Sequence, residues 1–125
     1  MAMIADLKKE LEREAEEENI PILRRADRKL LLEAAAAADP KKILEVGTAI
    51  GYSALLLAEH FPLAEIDTIE IDALRNERAV SVMQAAGFEQ RVRCHWGTRE
   101  KCFLHSQGRM ILFTLTGRKG STSAI

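Results

Sequence analysis

At 125 residues the chain holds one small domain, and a complete doubly wound enzyme sheet needs more chain than this. Its 18 basic and 19 acidic residues leave no net-charge case for a nucleic-acid partner. No apolar run is long enough to span a membrane, and the charged N-terminus lacks the apolar core of a secretory signal. Cys94 and Cys102 form no C-x-x-C and no zinc spacing, so they read as reduced thiols of a cytoplasmic protein.

Residues 2–18 read as an amphipathic helix, with Ile4, Leu7, Leu11 and Ala15 at helical spacing and charges elsewhere. The acidic run Glu12–Glu18 reads as a solvated face. Asn19-Ile20-Pro21 ends the helix, because a residue before proline is pushed out of the α region. Ile20, Ile22 and Leu23 form a short apolar linker. A second helix is expected over roughly 28–38, capped by Asp27 and burying Leu30, Leu31, Ala34, Ala35 and Ala38. Arg24, Arg25, Arg28 and Lys29 cluster around its start. They read as surface charge, or as contacts to nucleic-acid phosphates.

Ile43, Leu44 and Val46, bounded by Pro40 and Gly47, make a short buried strand. Gly47 opens a tight turn, Gly51 closes it, and an apolar helix follows through Ala54–Ala58 to about His60. Such a turn lets a ligand approach the backbone closely. Ser53 is placed to cap that helix, and His60 to offset its dipole. Pro62 breaks the chain before a second strand, Glu65–Ile69, which ends on Glu70. An acid there, about 20 residues past the glycine turn, is placed to accept ribose hydroxyls.

Turn and acid together predict a nucleoside-containing cofactor. The dinucleotide fingerprint needs glycines where Ala49 and Tyr52 stand. A pyrophosphate seeks bare backbone N–H groups, and Glu45 beside the turn would repel it. The same acid suits a ligand with a cationic end. S-adenosylmethionine carries a sulfonium, an ammonium and a ribose and no phosphate, so it is favoured over NAD. A non-catalytic binding domain is the rival from another class.

A third helix is expected over about Ala73–Ala86, capped by Asp72, ended by Gly87, with apolar positions at Leu74, Val80, Val82, Met83 and Ala86. Arg91–Trp96 then enters a third strand. The order β-α-β-α-β predicts a Rossmann-like, doubly wound parallel α/β sheet with right-handed crossovers.

The stretches EVGTAIGYSALLLA and AEIDTIEID resemble the cofactor motifs of the metal-dependent, class I O-methyltransferases, the group of catechol and caffeoyl-CoA O-methyltransferases. With ENIPILRRAD upstream, the similarity is strongest to bacterial tRNA 5-hydroxyuridine O-methyltransferases and runs from about Leu11 to Gly97. The resemblance implies the N-terminal portion of a methyltransferase fold: helices over 1–40, then a cofactor-binding half over 41–97. It implies cofactor contacts from Leu23, Glu45, Gly47, Gly51, Tyr52, Ser53 and Glu70. The implied acceptor is 5-hydroxyuridine in tRNA, with a small catechol-type acceptor as the alternative, and a homodimer is compatible with it. The family's Mg²⁺ is held by two aspartates and an asparagine near the fourth and fifth strands. None of these ligands is assignable here, so the metal ligands are none and the catalytic residues unknown.

Past Gly97 the family pattern breaks, because Thr98 stands where an aspartate is expected. Met110–Leu115 still reads as a strand, and Gly117–Ser123 as a polar tail. Permitted codons for Gly97 onward, read in the alternative frame, return a family-like string beginning GDARKVLP. The expectation is a one-base frameshift there, with residues 98–125 out of frame and the chain inactive in methyl transfer.

Overall fold

Leu7, Leu11 and Ala15, four residues apart, form the buried stripe of the first helix, α1 (Ile4–Glu18). Asn19 ends it in the left-handed region at φ 54°, its N–H bonded to the carbonyl of Ala15. The computed structural model describes residues 3–37 and 41–98, and the backbone of 110–115 and 122–124.

Helix α2 (Arg25–Ala37) starts three residues earlier than expected, so Asp27 lies in its first turn and is not its cap. The Asp27 carboxylate instead accepts from Arg24 Nε at 3.3 Å. Leu31 and Ala35 are buried, while Leu30 and Ala34 are exposed and Ala38 lies outside the described residues. Only one stripe of a helix meets the core, and positions one residue apart diverge by about 100°.

The sheet contains β1 (Lys42–Val46), β2 (Glu65–Glu70), β3 (Val92–Trp96), β4 (Met110–Leu115) and β5 (Thr122–Ala124), in the order β3-β2-β1-β4-β5. β1 lies parallel to both β2 and β4, with Val46 opposite Ile69 and Thr114. The chain thus runs outward from β1 on one side and returns on the other. That reversal opens a crevice beyond the carboxyl ends of the strands, where such sheets bind ligands. β5 pairs antiparallel with β4, with Leu115 opposite Thr122. Thr122 and Ser123, expected in a polar tail, therefore belong to a strand. Gly117–Gly120 and the residues 99–109, on which most of the out-of-frame reading falls, lie outside the described residues.

Helix α3 (Tyr52–His60) is buried at every position from Tyr52 to Ala58. It is apolar all round because α1, α4 and β2 pack against it. Helix α4 (Ala73–Ala86) is capped by Asp72, which accepts from Arg75 N at 3.0 Å, and ends on left-handed Gly87 at φ 78°. Ala79, Val82, Met83 and Ala86 face the core. Val80 is half-buried, and Leu74, in the first turn, points to solvent.

Arg91 seals the far end of α3. Its guanidinium donates to the carbonyls of Ala58 (2.8 Å), Ala64 (2.9 Å) and Phe61 (3.2 Å) and stacks on Phe88. The Ala58 carbonyl lacks a helical partner because Pro62, four residues on, has no N–H, so a cation there is favoured twice, by hydrogen bonding and by the dipole.

Candidate cofactor site

The turn between β1 and α3 is built on β2. Gly47 N and Thr48 N both donate to the carbonyl of Ile69, at 2.8 and 3.1 Å, and Gly51 N closes the turn onto Thr48 O at 2.9 Å. Gly47 and Gly51 each sit at φ 93°, and Ala49, which has a side chain, at φ 49°. Left-handed backbone at Ala49 is disfavoured and needs an outside partner. That partner is Glu70: Oε1 accepts from Ala49 N at 2.7 Å and Oε2 from Asp72 N at 2.9 Å. The Glu70 carbonyl accepts from Gly97 N at 2.9 Å. Glu70 thereby ties together the ends of β1, β2 and β3.

A cavity of about 260 Å³ opens at this junction, lined by Val46, Gly47, Ile69, Glu70, Ile71, Gly97 and Thr98. Gly97, at φ 149°, has nothing within 4 Å of where a Cβ would stand. The buried Glu70 carboxylate has acceptor sites to spare: an ionised carboxyl offers about four, and the backbone takes two. Beside the cavity, exposed Trp96 donates from Nε1 to the carbonyl of Ile71 at 3.0 Å, which leaves two apolar side chains next to Glu70.

Of the seven expected cofactor residues, Gly47 and Glu70 line this cavity. Glu45, 1% exposed, lies beneath the turn. It accepts from Ser53 Oγ and, at 2.7 Å, from Thr68 Oγ1, which in turn meets Thr48 Oγ1 at 2.6 Å. Burial pushes the Glu45 carboxyl up to about 7; the Ser53 and Thr68 hydrogen bonds offset part of this, and nearby Glu70 adds to it. Ser53 makes no cap to α3 and spends its hydroxyl on Glu45 instead.

Gly51 serves helix packing. A Cβ there would meet Met83 Cε at 3.2 Å and Ala79 Cα at 3.3 Å. Tyr52 turns away from the cavity, its hydroxyl donating to Glu12 Oε2 at 2.8 Å and its ring lying under Arg28. Burial and the Glu12 hydrogen bond push its phenol above the usual range. Leu23 is buried in the core.

Ile71 and Gly97 line the cavity, Trp96 stands beside it, and Thr48 and Thr68 join the network under the turn, none of them expected there. Thr68 had a readable signal: it shares a face with Ile66 and Glu70 at the two-residue period of a strand, a polar residue in a buried row. The four basic residues at the start of α2 are all paired with acids: Arg24 with Asp27, Arg25 and Arg28 with Glu12, and Lys29 with Glu33.

The model of the O-methyltransferase family matches residues 2–106. The chain belongs to the O-methyltransferase family. Over 60 residues this O-methyltransferase chain is 40% identical to the tRNA1(Val) (adenine(37)-N6)-methyltransferase of Porphyromonas gingivalis, covering 48% of this chain and 24% of that protein. Over 69 residues it is 39% identical to the probable O-methyltransferase Rv1703c of Mycobacterium tuberculosis, covering 54% of this chain and 30% of that protein. The chain thus spans under a third of the curated relatives it matches. Its fold is similar to that of the O-methyltransferase TomG from Streptomyces achromogenes, solved with SAM. The TM-score is 0.70 at 21% identity, over 86% of this chain and 64% of that one. At that identity the likeness is one of fold.

Among the described residues no group of three His, Cys, Asp or Glu side chains converges as a metal site would require. The described residues thus offer no ligand set for the divalent ion that the family resemblance implies.

Proposed function

We propose that the chain binds S-adenosylmethionine in the cavity at the ends of β1, β2 and β3, as the methyl-donor half of an O-methyltransferase. The observation that carries this reading is the Glu70 carboxylate, fixed by Ala49 N and Asp72 N at the mouth of a glycine turn. Its remaining acceptor sites suit a pair of ribose hydroxyls. Ile71 and Trp96 offer apolar surface to a flat base, and Gly47 and Gly97 leave room for the ligand against the backbone. The bound cofactor supplies an electrophilic methyl group for transfer to an acceptor hydroxyl. This chain's own residues hold and orient that donor.

The acceptor we favour is 5-hydroxyuridine in tRNA, on the strength of the ENIPILRRAD resemblance and one tRNA-modifying relative. The small catechol-type hydroxyl is the alternative. The ion pairs around Arg24, Arg25 and Arg28 reduce the charge available to a phosphate backbone. Replacing all three by Gln in an intact homologue tests whether this cluster meets tRNA phosphates: a lower salt slope of tRNA binding supports the contact, and unchanged affinity and slope rule it out.

Cofactor binding is tested by isothermal titration of S-adenosylmethionine into the 125-residue chain. Binding that falls at least about tenfold in Glu70→Ala supports the reading, because each hydrogen bond to a charged group contributes roughly 1.5–3 kcal/mol. No binding in a well-folded chain supports a non-catalytic domain.

A further inference from the structure

Thr68 stands at the junction of two hydrogen bonds with different purposes. One reaches Thr48 in the glycine turn at 2.6 Å and the other Glu45 at the end of β1 at 2.7 Å. Thr68 spends its single proton on Glu45 Oε1, so Thr48 donates to Thr68. Ser53 donates to the other Glu45 oxygen from the first turn of α3. Turn, two strands and helix therefore meet at one buried carboxyl.

Among the described residues that carboxyl has no countercharge. Facing Glu45 are Ser53 from α3, Thr68 and Glu70 from β2 and Cys94 from β3, with Thr48 of the turn behind Thr68. The Glu45 register partner on β4 is Phe113, which does not titrate. The Cys94 thiol is pushed up to about 11 by burial and by Glu45, so it is neutral. Among the described residues no lysine, arginine or histidine contributes to its electrostatics. A buried carboxyl beside another acid, with only hydroxyls to satisfy it, retains a proton well above its ordinary range. Val46 and Gly47, the next two residues, form the cavity wall. A cationic ligand group seated there lies within the field of Glu45, and a nearby cation favours the ionised form.

We infer that Thr68 is a positioning residue for cofactor capture. Its hydroxyl locks the glycine turn to Glu45 and prepares that carboxyl to give up a proton when a cationic ligand settles on the turn. The inference rests on the cofactor reading above. The step balances: Glu45–COOH releases H⁺ to solvent, no electrons move, and the charge left beneath the turn offsets that of the ligand's ammonium. Thr68 touches neither the ligand nor the methyl group.

The test titrates S-adenosylhomocysteine, which keeps the ammonium, into the full chain at pH 7 in buffers of low and high ionisation heat. The expected result is a net release of protons on binding, since burial pushes the Glu45 carboxyl up to about 7. Affinity should fall up to about tenfold per pH unit below that point. Thr68→Val should move the falling limb to higher pH, and Thr68→Ser should restore it. A merely structural threonine would change affinity without moving the limb. Binding with no net proton release, or a Thr68→Val profile superimposed on the wild type, overturns the inference while leaving cofactor binding intact. No binding at any pH in a folded chain overturns both. A measurement on the wild type alone follows the Glu45 carboxyl carbon by NMR. It should titrate near neutrality in the free chain and stay ionised there with ligand bound. Ionisation in both states overturns the inference.

Discussion

The amide of Ala49 donates to Glu70 Oε1 across 2.7 Å, joining the first turn of the chain's β-α-β unit to the end of its second strand. Ala49 is held at φ 49°, where an L-residue pays about 1–2 kcal/mol. Glu70 is therefore an organiser of the turn before it is a ligand contact. Glu70→Gln should lose more than a ribose contact: an amide presents one acceptor oxygen and one donor nitrogen to two N–H groups. Faster amide exchange at Ala49 in the ligand-free variant is the expected result. Unchanged protection would confine Glu70 to the ligand.

Glu45 should make the chain less stable as the pH rises from acid to neutral. The unfolded carboxyl gives up its proton near 4.5 and the folded one near 7. Stability from the neutral form is thus complete below about 4.5 and is lost as the pH climbs to about 7. The difference corresponds to about 3 kcal/mol at higher pH. Urea unfolding across that window should show the decline in the wild type and a flatter profile in Glu45→Gln. The same decline in the variant would place its origin elsewhere.

Gly51→Ala should destabilise the fold by about 2–4 kcal/mol. Left-handed backbone and crowding add here, because Ala79 Cα at 3.3 Å is main chain and cannot swing aside. Thermal melts read this directly, and a loss under about 1 kcal/mol would mean that α4 yields easily.

Tyr52→Phe separates packing from binding. The hydroxyl reaches Glu12 on α1, not the cavity, so its loss should cost about 1 kcal/mol of stability. Affinity for S-adenosylmethionine should stay within about twofold. A larger fall in affinity would support a cofactor contact from Tyr52.

The frame of this site was legible in the sequence because Pro40, Gly47, Gly51 and Pro62 punctuate it and a strand-forming run precedes the turn. Glu70 was legible because it closes a strand at a fixed distance from that turn. Side-chain direction was not. Tyr52 and Ser53 are neighbours in the first turn of α3, yet one turns to α1 and the other down to Glu45. Spacing along the chain does not encode that choice; packing against α1 through Glu12 and against α2 through Arg28 does. Leu30 and Leu74 show the same limit, since helical period marks a stripe but not which apolar residue at its margin is left outside.

Arg91 closes helix α3 from a position 27 to 33 residues further along the chain. The glycine turn and its helix look like a self-contained cassette, since strand, turn and helix follow one another without interruption. They are not autonomous. During synthesis the Ala58 carbonyl in the last turn of α3, and those of Phe61 and Ala64 in the loop after it, wait for a guanidinium that emerges only with the third strand. The segment read most easily from local sequence is thus completed by a residue far outside it, and excising it as a minimal nucleoside-binding module would leave its helix unfinished.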